Sequence, residues 1–351
     1  MAKATKSALL QKILENTTID EAESLTDSKI YSKKDMITTL VPMINVALSG
    51  NVDGGLVPGS TVLAGPSKHF KTGFALLMAQ SFLAKYPEGI ILYYDSEFGT
   101  PKSYFTSFGI PFDSVVHVPI STVEQLRHEI AVQLETLDRT DKVLMIVDSL
   151  GNLASKKELE DAIDGKDVSD MTRAKMIKSL FRTIGPKLVI KDVPLIVVNH
   201  TYKTLEMFSK DVVSGGTGVT YNADNIWILG RQQDKDEKTK SIEGYNFIIN
   251  INKSRYVKEG SKIPISLTFE GGINKWSGLL DLAVEGLYIG KPKKGSYQLI
   301  DRKNGEYVGK EFKEDDIINN KDFWTGMLKD TDFPEFLKDK YQLKTAAIIE
   351  A

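Results

Sequence analysis

The chain has 351 residues, and its 41 % hydrophobic content is enough for a large α/β core with one or two small satellite modules. Its 45 lysine and arginine residues nearly balance 47 aspartate and glutamate residues, so a polyanion would have to bind at a local basic patch. The sequence lacks cysteine, which excludes disulfides, thiolate metal sites and cysteine nucleophiles. It also lacks an apolar segment typical of a signal peptide or membrane span, so we expect a soluble, cytoplasmic protein with no membrane partner.

The amino-terminal residues predict a short helix on a tether. One helical face carries four apolar side chains, Leu9, Leu10, Ile13 and Leu14. A polar, acidic linker follows them. Residues 1–28 are therefore predicted as a separate arm. It either packs as an ordinary terminus or docks onto a neighbouring subunit as an oligomerisation helix.

Strand and helix patterns alternate from residue 60 onward. Runs rich in Val, Ile and Leu, typical of buried parallel strands, lie at residues 61–64, 89–94, 143–147 and 195–198. Helical patterns lie between them, at residues 71–86, 123–137 and 169–184. This alternation predicts a mainly parallel, twisted α/β sheet flanked by helices.

The pattern changes after residue 225. Antiparallel strands are predicted at residues 226–229, 245–251 and 263–269, with residues 233–240 as an exposed hairpin loop that extends the sheet. Residues 29–276 are therefore predicted as one core domain. From residue 277 to 351, glycine-rich turns separate short apolar stretches, and an aromatic helical tail follows around Trp324. This last part predicts a small α+β carboxyl-terminal domain.

Residues 65–72, GPSKHFKT, join an apolar strand to a helix with the spacing of a Walker A phosphate-binding loop. Lys71 can reach the β and γ phosphates, Thr72 can bind Mg²⁺, and backbone N–H groups of the loop and helix can hold the anion. Phe70 stands where such loops normally have a second glycine, so its backbone must adopt torsions that tolerate a Cβ atom. We predict ATP and Mg²⁺ as ligands, and the predicted nucleotide-binding residues are Gly65, Pro66, Ser67, Lys68, His69, Phe70, Lys71, Thr72 and Gly73. The alternative is an ordinary loop in which Lys71 is only a surface charge.

Three further strand ends carry polar side chains. Asp148 ends an apolar strand as in a Walker B motif and could bind Mg²⁺ directly or through water. Glu97 follows an earlier strand and could align or deprotonate the water that attacks the γ-phosphate. His200 follows a later strand and could donate to the γ-phosphate and sense it. Each has a structural alternative, namely a capping or solvated acid or a structural histidine.

These strand ends, in this order, resemble the core of the RecA family of recombinases, and the match to the phage UvsX recombinases is close. The segments that carry the resemblance are GPSKHFKT at 65–72, DSEFG at 95–99, DSLGNLASKK at 148–157, DMTRAK at 170–175, NHTY at 199–202 and GGTG at 215–218. The resemblance covers nearly the whole chain and makes Phe70 a family feature. It implies a RecA-like P-loop ATPase core in residues 29–276.

The resemblance also implies a DNA-dependent ATPase that forms a helical filament on single-stranded DNA and exchanges strands with a homologous duplex. Such an activity serves recombination, repair and recombination-dependent replication. The implied catalytic residues are Glu97, Lys71 and His200 together with Lys253 and Arg255, which would reach a neighbouring subunit's γ-phosphate. Tyr104 would stack on adenine. A single-strand-binding protein and a recombination mediator are implied as partners, and a phage-infected host cell as the location.

Two segments, residues 155–167 and 201–214, resemble the DNA-facing loops of the family. Basic groups there would contact phosphates, and an apolar side chain would wedge between bases. The implied DNA contacts are Lys156, Lys157, Arg173, Tyr202, Lys203, Met207, Phe208 and Lys210. Ordinary solvated loops are the local alternative. For the whole chain, the alternatives are a nucleotide-gated filament scaffold and a hexameric RecA-core helicase motor, but the tethered helix and the two long loops favour a recombinase filament.

Overall fold

The computed structural model describes residues 2–30, 35–166, 172–204, 211–236 and 239–344. It divides into two compact units, Met1–Asp35 and Met36–Ala351. The first unit contains helix α1 (Ala2–Glu15), which is followed by turns. None of the helices among these residues is long and apolar enough to cross a membrane.

The second unit alternates strands and helices through its first half. Its strands are β1 (Gly59–Ala64), β2 (Ile90–Asp95), β3 (Val115–Pro119), β4 (Val143–Asp148), β5 (Pro194–Asn199), β6 (Thr201–Lys203), β7 (Asp211–Val213), β8 (Asn225–Lys235), β9 (Ile242–Lys253), β10 (Lys262–Thr268), β11 (Gly272–Ile273), β12 (Ile289–Gly290), β13 (Ser296–Asp301) and β14 (Glu306–Lys313). Its helices are α2 (Pro42–Ser49), α3 (Lys71–Lys85), α4 (Lys102–Ser107), α5 (Val123–Thr136), α6 (Lys156–Ile163), α7 (Thr172–Ile190), α8 (Thr217–Asn222), α9 (Leu279–Glu285), α10 (Glu314–Ile318), α11 (Lys321–Asp330) and α12 (Phe333–Tyr341).

Within the described residues, the largest sheet has nine strands in the order β11-β10-β9-β8-β1-β5-β4-β2-β3. The strands from β8 to β3 in that order are parallel, whereas β9, β10 and β11 extend the sheet antiparallel. Every residue of β1, β4 and β5 is buried, as expected for strands covered by helices on both faces. Alternate residues pack into different cores: Leu63 joins one buried apolar cluster and Val62 the other. The predicted mainly parallel α/β sheet with an antiparallel extension is confirmed.

Two predicted loops contain regular structure. Residues 155–167 include helix α6, which begins at Lys156 because the side chains of the preceding Ser155 and of Glu158 form a capping box. The described ends of segment 201–214 pair as β6 and β7, with Thr201 opposite Val213. The predicted hairpin loop at 233–240 was also too long, since β8 continues to Lys235 and β9 begins at Ile242.

The carboxyl-terminal part has the predicted mixture of helices and strands. Strands β12, β13 and β14 form an antiparallel sheet, and helices α9 to α12 accompany it. Trp324 is fully buried and its indole N–H donates to the Ile317 carbonyl oxygen at 2.8 Å. Tyr288 packs edge-on against Phe333, with ring centroids 5.0 Å apart. Aromatic packing therefore supplies much of the core of this small module.

Candidate nucleotide-binding site

The parallel strands end at one edge of the sheet, and the candidate site residues follow those ends. Asp95 at the end of β2 lies opposite Asp148 at the end of β4, and Ala64 of β1 lies opposite Asn199 of β5. This carboxyl edge is where open α/β sheets bind ligands. A cavity of about 580 Å³ opens there, and its lining includes residues 67–73 and four further predicted site residues, Glu97, Tyr104, Asp148 and His200.

A buried lysine begins α3, directly after the loop that follows β1. Lys71 is 7 % exposed, and its Nζ donates to the carbonyl oxygens of Gly65 at 3.0 Å and Pro66 at 2.8 Å. Burial lowers the pKa of Lys71, while the carboxylates of Glu97 and Asp148 oppose that shift. The ammonium group is thus held inside the loop by neutral carbonyl oxygens.

Asp148 is a buried carboxylate with one satisfied oxygen. Its Oδ2 accepts hydrogen bonds from the Thr72 hydroxyl at 2.8 Å and the Tyr93 hydroxyl at 2.7 Å. Its Oδ1 is buried and has no hydrogen-bond partner among the residues that the structure describes. Burial is the largest influence on the pKa of Asp148 and raises it. A buried oxygen without a partner is costly, so this atom indicates a place for a cation or a donor.

Glu97 is held by a serine and a histidine. The Ser149 hydroxyl donates to Glu97 Oε1 at 2.5 Å, and His200 Nε2 lies 3.1 Å from the same oxygen. The hydrogen bond from His200 is the largest cause of a pKa lowered to about 2 for Glu97; Ser149 adds to it and burial opposes it. The turn that presents Glu97 is fixed by Asp95, whose Oδ1 accepts from the backbone N–H groups of Glu97 and Phe98.

One side of the cavity is aromatic. The predicted Tyr104 lines it together with side chains that were not predicted from the sequence: Arg231 of β8, and Tyr245, Phe247, Leu267 and Phe269 of the antiparallel extension. These residues lie more than a hundred positions from the phosphate loop and belong to no short motif. Their position beside the loop follows from the pairing of β8 with β1, and that pairing can be predicted only when the strand order is known.

The structure does not bring Lys253 and Arg255 into this cavity. Lys253 Nζ donates to the carbonyl oxygens of Thr220 and Tyr221, and Arg255 Nε donates to Asp224 Oδ1 at 2.6 Å. The Arg255 side chain is 67 % exposed. Their predicted reach towards a neighbouring subunit stays a prediction.

The predicted DNA contacts differ in their surroundings. Lys156 and Lys157 are exposed in the first turn of α6, and Tyr202 and Lys203 are exposed on β6. Arg173 is instead half-buried, and its guanidinium donates to the carbonyl oxygens of residues 150, 151 and 153. Arg173 therefore fixes the backbone after β4. The remaining predicted contacts, Met207, Phe208 and Lys210, lie outside the described residues.

Together, fold and site define an α/β protein whose mostly parallel sheet carries a loop lysine, two carboxylates and a histidine around one cavity. The family model of the carboxyl-terminal domain of the bacteriophage T4 recombination and repair protein UvsX matches residues 276–337. The recombination and repair protein of Enterobacteria phage T4 is 45 % identical to the chain over 341 residues, which cover 96 % of this chain and 86 % of that protein. The chain belongs to the UvsX family of phage recombination and repair proteins, within the RecA-family recombinases.

Proposed function

We propose that this chain is a DNA-dependent ATPase that forms a helical filament on single-stranded DNA and exchanges strands with a homologous duplex. Membership of a recombination and repair family supports this proposal. The observation that carries it is the convergence of Lys71, Asp148, Glu97 and His200 on one cavity. Two segments with exposed basic residues follow strands β4 and β5.

The phosphate groups of ATP fit the loop at residues 65–73. Lys71 already lies inside the loop, where its Nζ donates to two neutral carbonyl oxygens. A phosphate oxygen is a stronger acceptor for an ammonium group, so Lys71 exchanges these bonds for the nucleotide. The N-terminus of α3 adds backbone N–H groups that point at the same anion.

The donor set also fits Mg²⁺. The structure describes no cluster of three histidine or acidic side chains that could hold a metal alone, so phosphate oxygens and water would complete the shell, as is usual for this ion. Asp148 Oδ1 is a buried oxygen to which none of the described residues donates, and the Thr72 hydroxyl bonds to the same carboxylate. Thr72 and Asp148 would hold the ion, which supplies charge neutralisation of the phosphates when bound.

Glu97 is the residue placed to act on the attacking water. Its low pKa keeps it ionised at neutral pH, so it can accept a hydrogen bond from water. One of its oxygens is shared by Ser149 and His200. When His200 turns to donate to the γ-phosphate, this oxygen loses one donor and becomes a better acceptor for water. His200 therefore couples the presence of the γ-phosphate to the basicity of Glu97.

The same histidine adjoins a DNA-facing segment. His200 precedes β6, and its carbonyl oxygen accepts from the Ser214 N–H at 2.9 Å just after β7. Asn199 Nδ2 donates to the Ser214 carbonyl oxygen at 2.7 Å. A displacement of His200 thus reaches both ends of the segment that carries Tyr202 and Lys203. This linkage would let nucleotide state order the DNA contacts.

Assembly would complete the site. Lys253 and Arg255 would approach the γ-phosphate of a neighbouring subunit in the filament and stabilise the charge of the transition state. A single-strand-binding protein and a recombination mediator would assist loading on DNA. A nucleotide-gated scaffold and a helicase motor are the competing functions, and neither would exchange strands between homologous molecules.

The test is ATP hydrolysis measured with and without single-stranded DNA. We expect DNA to stimulate hydrolysis by the wild type and by Lys329→Ala, which removes an exposed cation of the carboxyl-terminal module. Lys71→Ala should abolish hydrolysis under both conditions because it removes the phosphate-binding cation. Hydrolysis that ignores DNA, or a Lys71→Ala variant that hydrolyses ATP normally, would contradict the proposal.

A further inference from the structure

Phe70 occupies a backbone conformation that favours glycine. Its φ is 58° and its ψ is 24°, in the left-handed region, at the residue that precedes α3. Glycine takes this conformation without steric conflict between a Cβ atom and the backbone, whereas phenylalanine does so at a cost. The chain therefore tolerates local strain in its phosphate loop, and the aromatic ring must supply a compensating interaction.

The ring of Phe70 lies at the centre of a continuous series of aromatic contacts. It stacks on Phe247, with centroids 5.5 Å apart and planes 22° apart, and it lies 6.4 Å from Phe108. From these two residues the contacts continue to Tyr104 on one side and to Tyr245 and Phe269 on the other. We call this series the aromatic wall, and it comprises Tyr104, Phe108, Phe70, Phe247, Tyr245 and Phe269.

The same ring lies directly against the start of the phosphate-binding helix. A Cβ atom at Gly73 would lie 2.4, 2.5 and 2.6 Å from three ring atoms of Phe70, which are its three nearest neighbours. Contacts this short are not tolerated, so Gly73 has to be glycine as long as the ring is there. Phe70 thus packs on the backbone just after Lys71 and Thr72.

The aromatic wall is also connected to the phosphate loop through Arg231. The guanidinium of Arg231 lies over the Tyr245 ring, 4.6 Å from its centroid, and donates to the Lys68 carbonyl oxygen at 2.9 Å. Lys68 is the other residue of the loop with a left-handed φ, 62°. The two loop residues with a left-handed φ therefore both connect the loop to the aromatic wall: Phe70 belongs to the wall, and Lys68 is bonded to Arg231, which lies over Tyr245.

We propose that Phe70 is a positioning residue that fixes the aromatic wall relative to the phosphate loop, so that one nucleotide engages both with its base and its phosphates. The inference rests on the proposed ATP site and adds how that site selects a ligand with a planar base. The binding free energy that the base contributes then depends on Phe70. Free energy gained at the phosphates depends on Lys71 and the helix N-terminus and does not require the ring.

The experiment compares ATP with inorganic tripolyphosphate, which has the phosphates and no base. Calorimetric titrations in Mg²⁺ would use the full chain as wild type, Phe70→Gly and Phe70→Tyr, with folding checked by circular dichroism. Glycine suits the φ of position 70, and tyrosine retains the ring. We expect Phe70→Gly to weaken ATP binding about tenfold, to change tripolyphosphate binding less than about twofold, and Phe70→Tyr to resemble the wild type.

Gly73→Ala supplies an independent test. In the wild-type background its Cβ displaces the ring, so ATP affinity should fall as it does in Phe70→Gly. Added to Phe70→Gly, it should change ATP affinity less than about twofold, because the ring it displaces is gone. Equal losses for both ligands, unchanged ATP affinity in Phe70→Gly, or additive effects of the two substitutions would overturn the inference alone. A wild type that binds tripolyphosphate but not ATP, or neither, would overturn the proposed function as well.

Discussion

The substitution Asp148→Asn distinguishes the cost of the buried carboxylate in folding stability from its contribution to ATP hydrolysis. Asp148 is 3 % exposed, and in the described part of the chain hydrogen bonds reach its Oδ2 but not its Oδ1. Asparagine has nearly the same shape, and its amide oxygen can accept from Thr72 and Tyr93 as Oδ2 does. The substitution replaces a buried anion, whose pKa burial raises, with a neutral group.

The magnitude follows from this exchange. An unsatisfied buried charge costs more than an unsatisfied neutral group, which itself costs about 1 to 3 kcal/mol. Even with the replacing amide NH₂ group unpaired, the neutral side chain costs less to bury than the anion, so we expect a net gain of about 1 to 2 kcal/mol in the free energy of unfolding. That gain corresponds to a rise of roughly 2 to 8 °C in Tm.

The gain should depend on pH. The folded-state pKa of Asp148 lies above the ordinary value of 3.8, so its ionised form destabilises the fold at neutral pH. Lowering the pH through the raised folded value towards 3.8 protonates the wild type and removes this cost. The difference in stability between Asp148→Asn and the wild type should therefore shrink as the pH falls through that window.

Thermal denaturation and ATP hydrolysis are measured on the same samples. Asp148→Asn should be more stable than the wild type yet lose at least about 100-fold in Mg²⁺-dependent hydrolysis, because it removes the carboxylate that we propose to hold the ion. The matched control is Tyr93→Phe, which leaves the anion and removes one of its donors; it should lower stability by about 1.5 to 3 kcal/mol. A destabilised Asp148→Asn variant with wild-type hydrolysis would contradict both the stability cost and the functional role of the carboxylate.

Three further predictions follow from single contacts. Glu97→Gln should keep ATP affinity within a few-fold and slow hydrolysis about 100-fold or more, since the amide cannot take a proton; an unchanged turnover rate would exclude Glu97 as the base. A ¹³C NMR titration should give a pKa of about 2 for Glu97, and His200→Ala should raise it, because His200 is the largest cause of the shift; the same value in both proteins would contradict the hydrogen bond as its cause. Arg173→Lys should lower Tm by several degrees, because one ammonium group cannot span the three carbonyl oxygens that the guanidinium reaches; an unchanged Tm combined with weaker DNA binding would make Arg173 a DNA contact instead.

The secondary structure was predicted best from the sequence where a strand is buried over its whole length. Strands β1, β4 and β5 are buried over their whole length, so they appear as continuous apolar runs. Strand β3 was missed because it lies at the sheet edge and several of its residues are exposed. Helix α6 was predicted as a loop, although Ser155 and Glu158 have the spacing of a capping box.

The candidate site likewise contains some residues that could be predicted from the sequence and others that could not. Residues that follow strand ends, such as Glu97 and His200, could be predicted because parallel strands bring their ends together. The aromatic wall could not, because the antiparallel extension contributes half of it through tertiary packing without a local motif. Phe70 seemed anomalous in the sequence, and only its ring contacts with Phe247 and Gly73 explain it.

A strand-exchange assay is the decisive test of the proposed recombinase activity. Single-stranded DNA would be incubated with homologous or heterologous duplex, using the wild type and Lys71→Ala, with ATP, with a non-hydrolysable analogue or without nucleotide. We predict exchanged product only from the wild type, only with homologous duplex, and only when a nucleotide is present. Duplex unwinding without regard to homology would indicate a helicase motor, and filaments without any exchanged product would indicate a scaffold; either result would contradict the account.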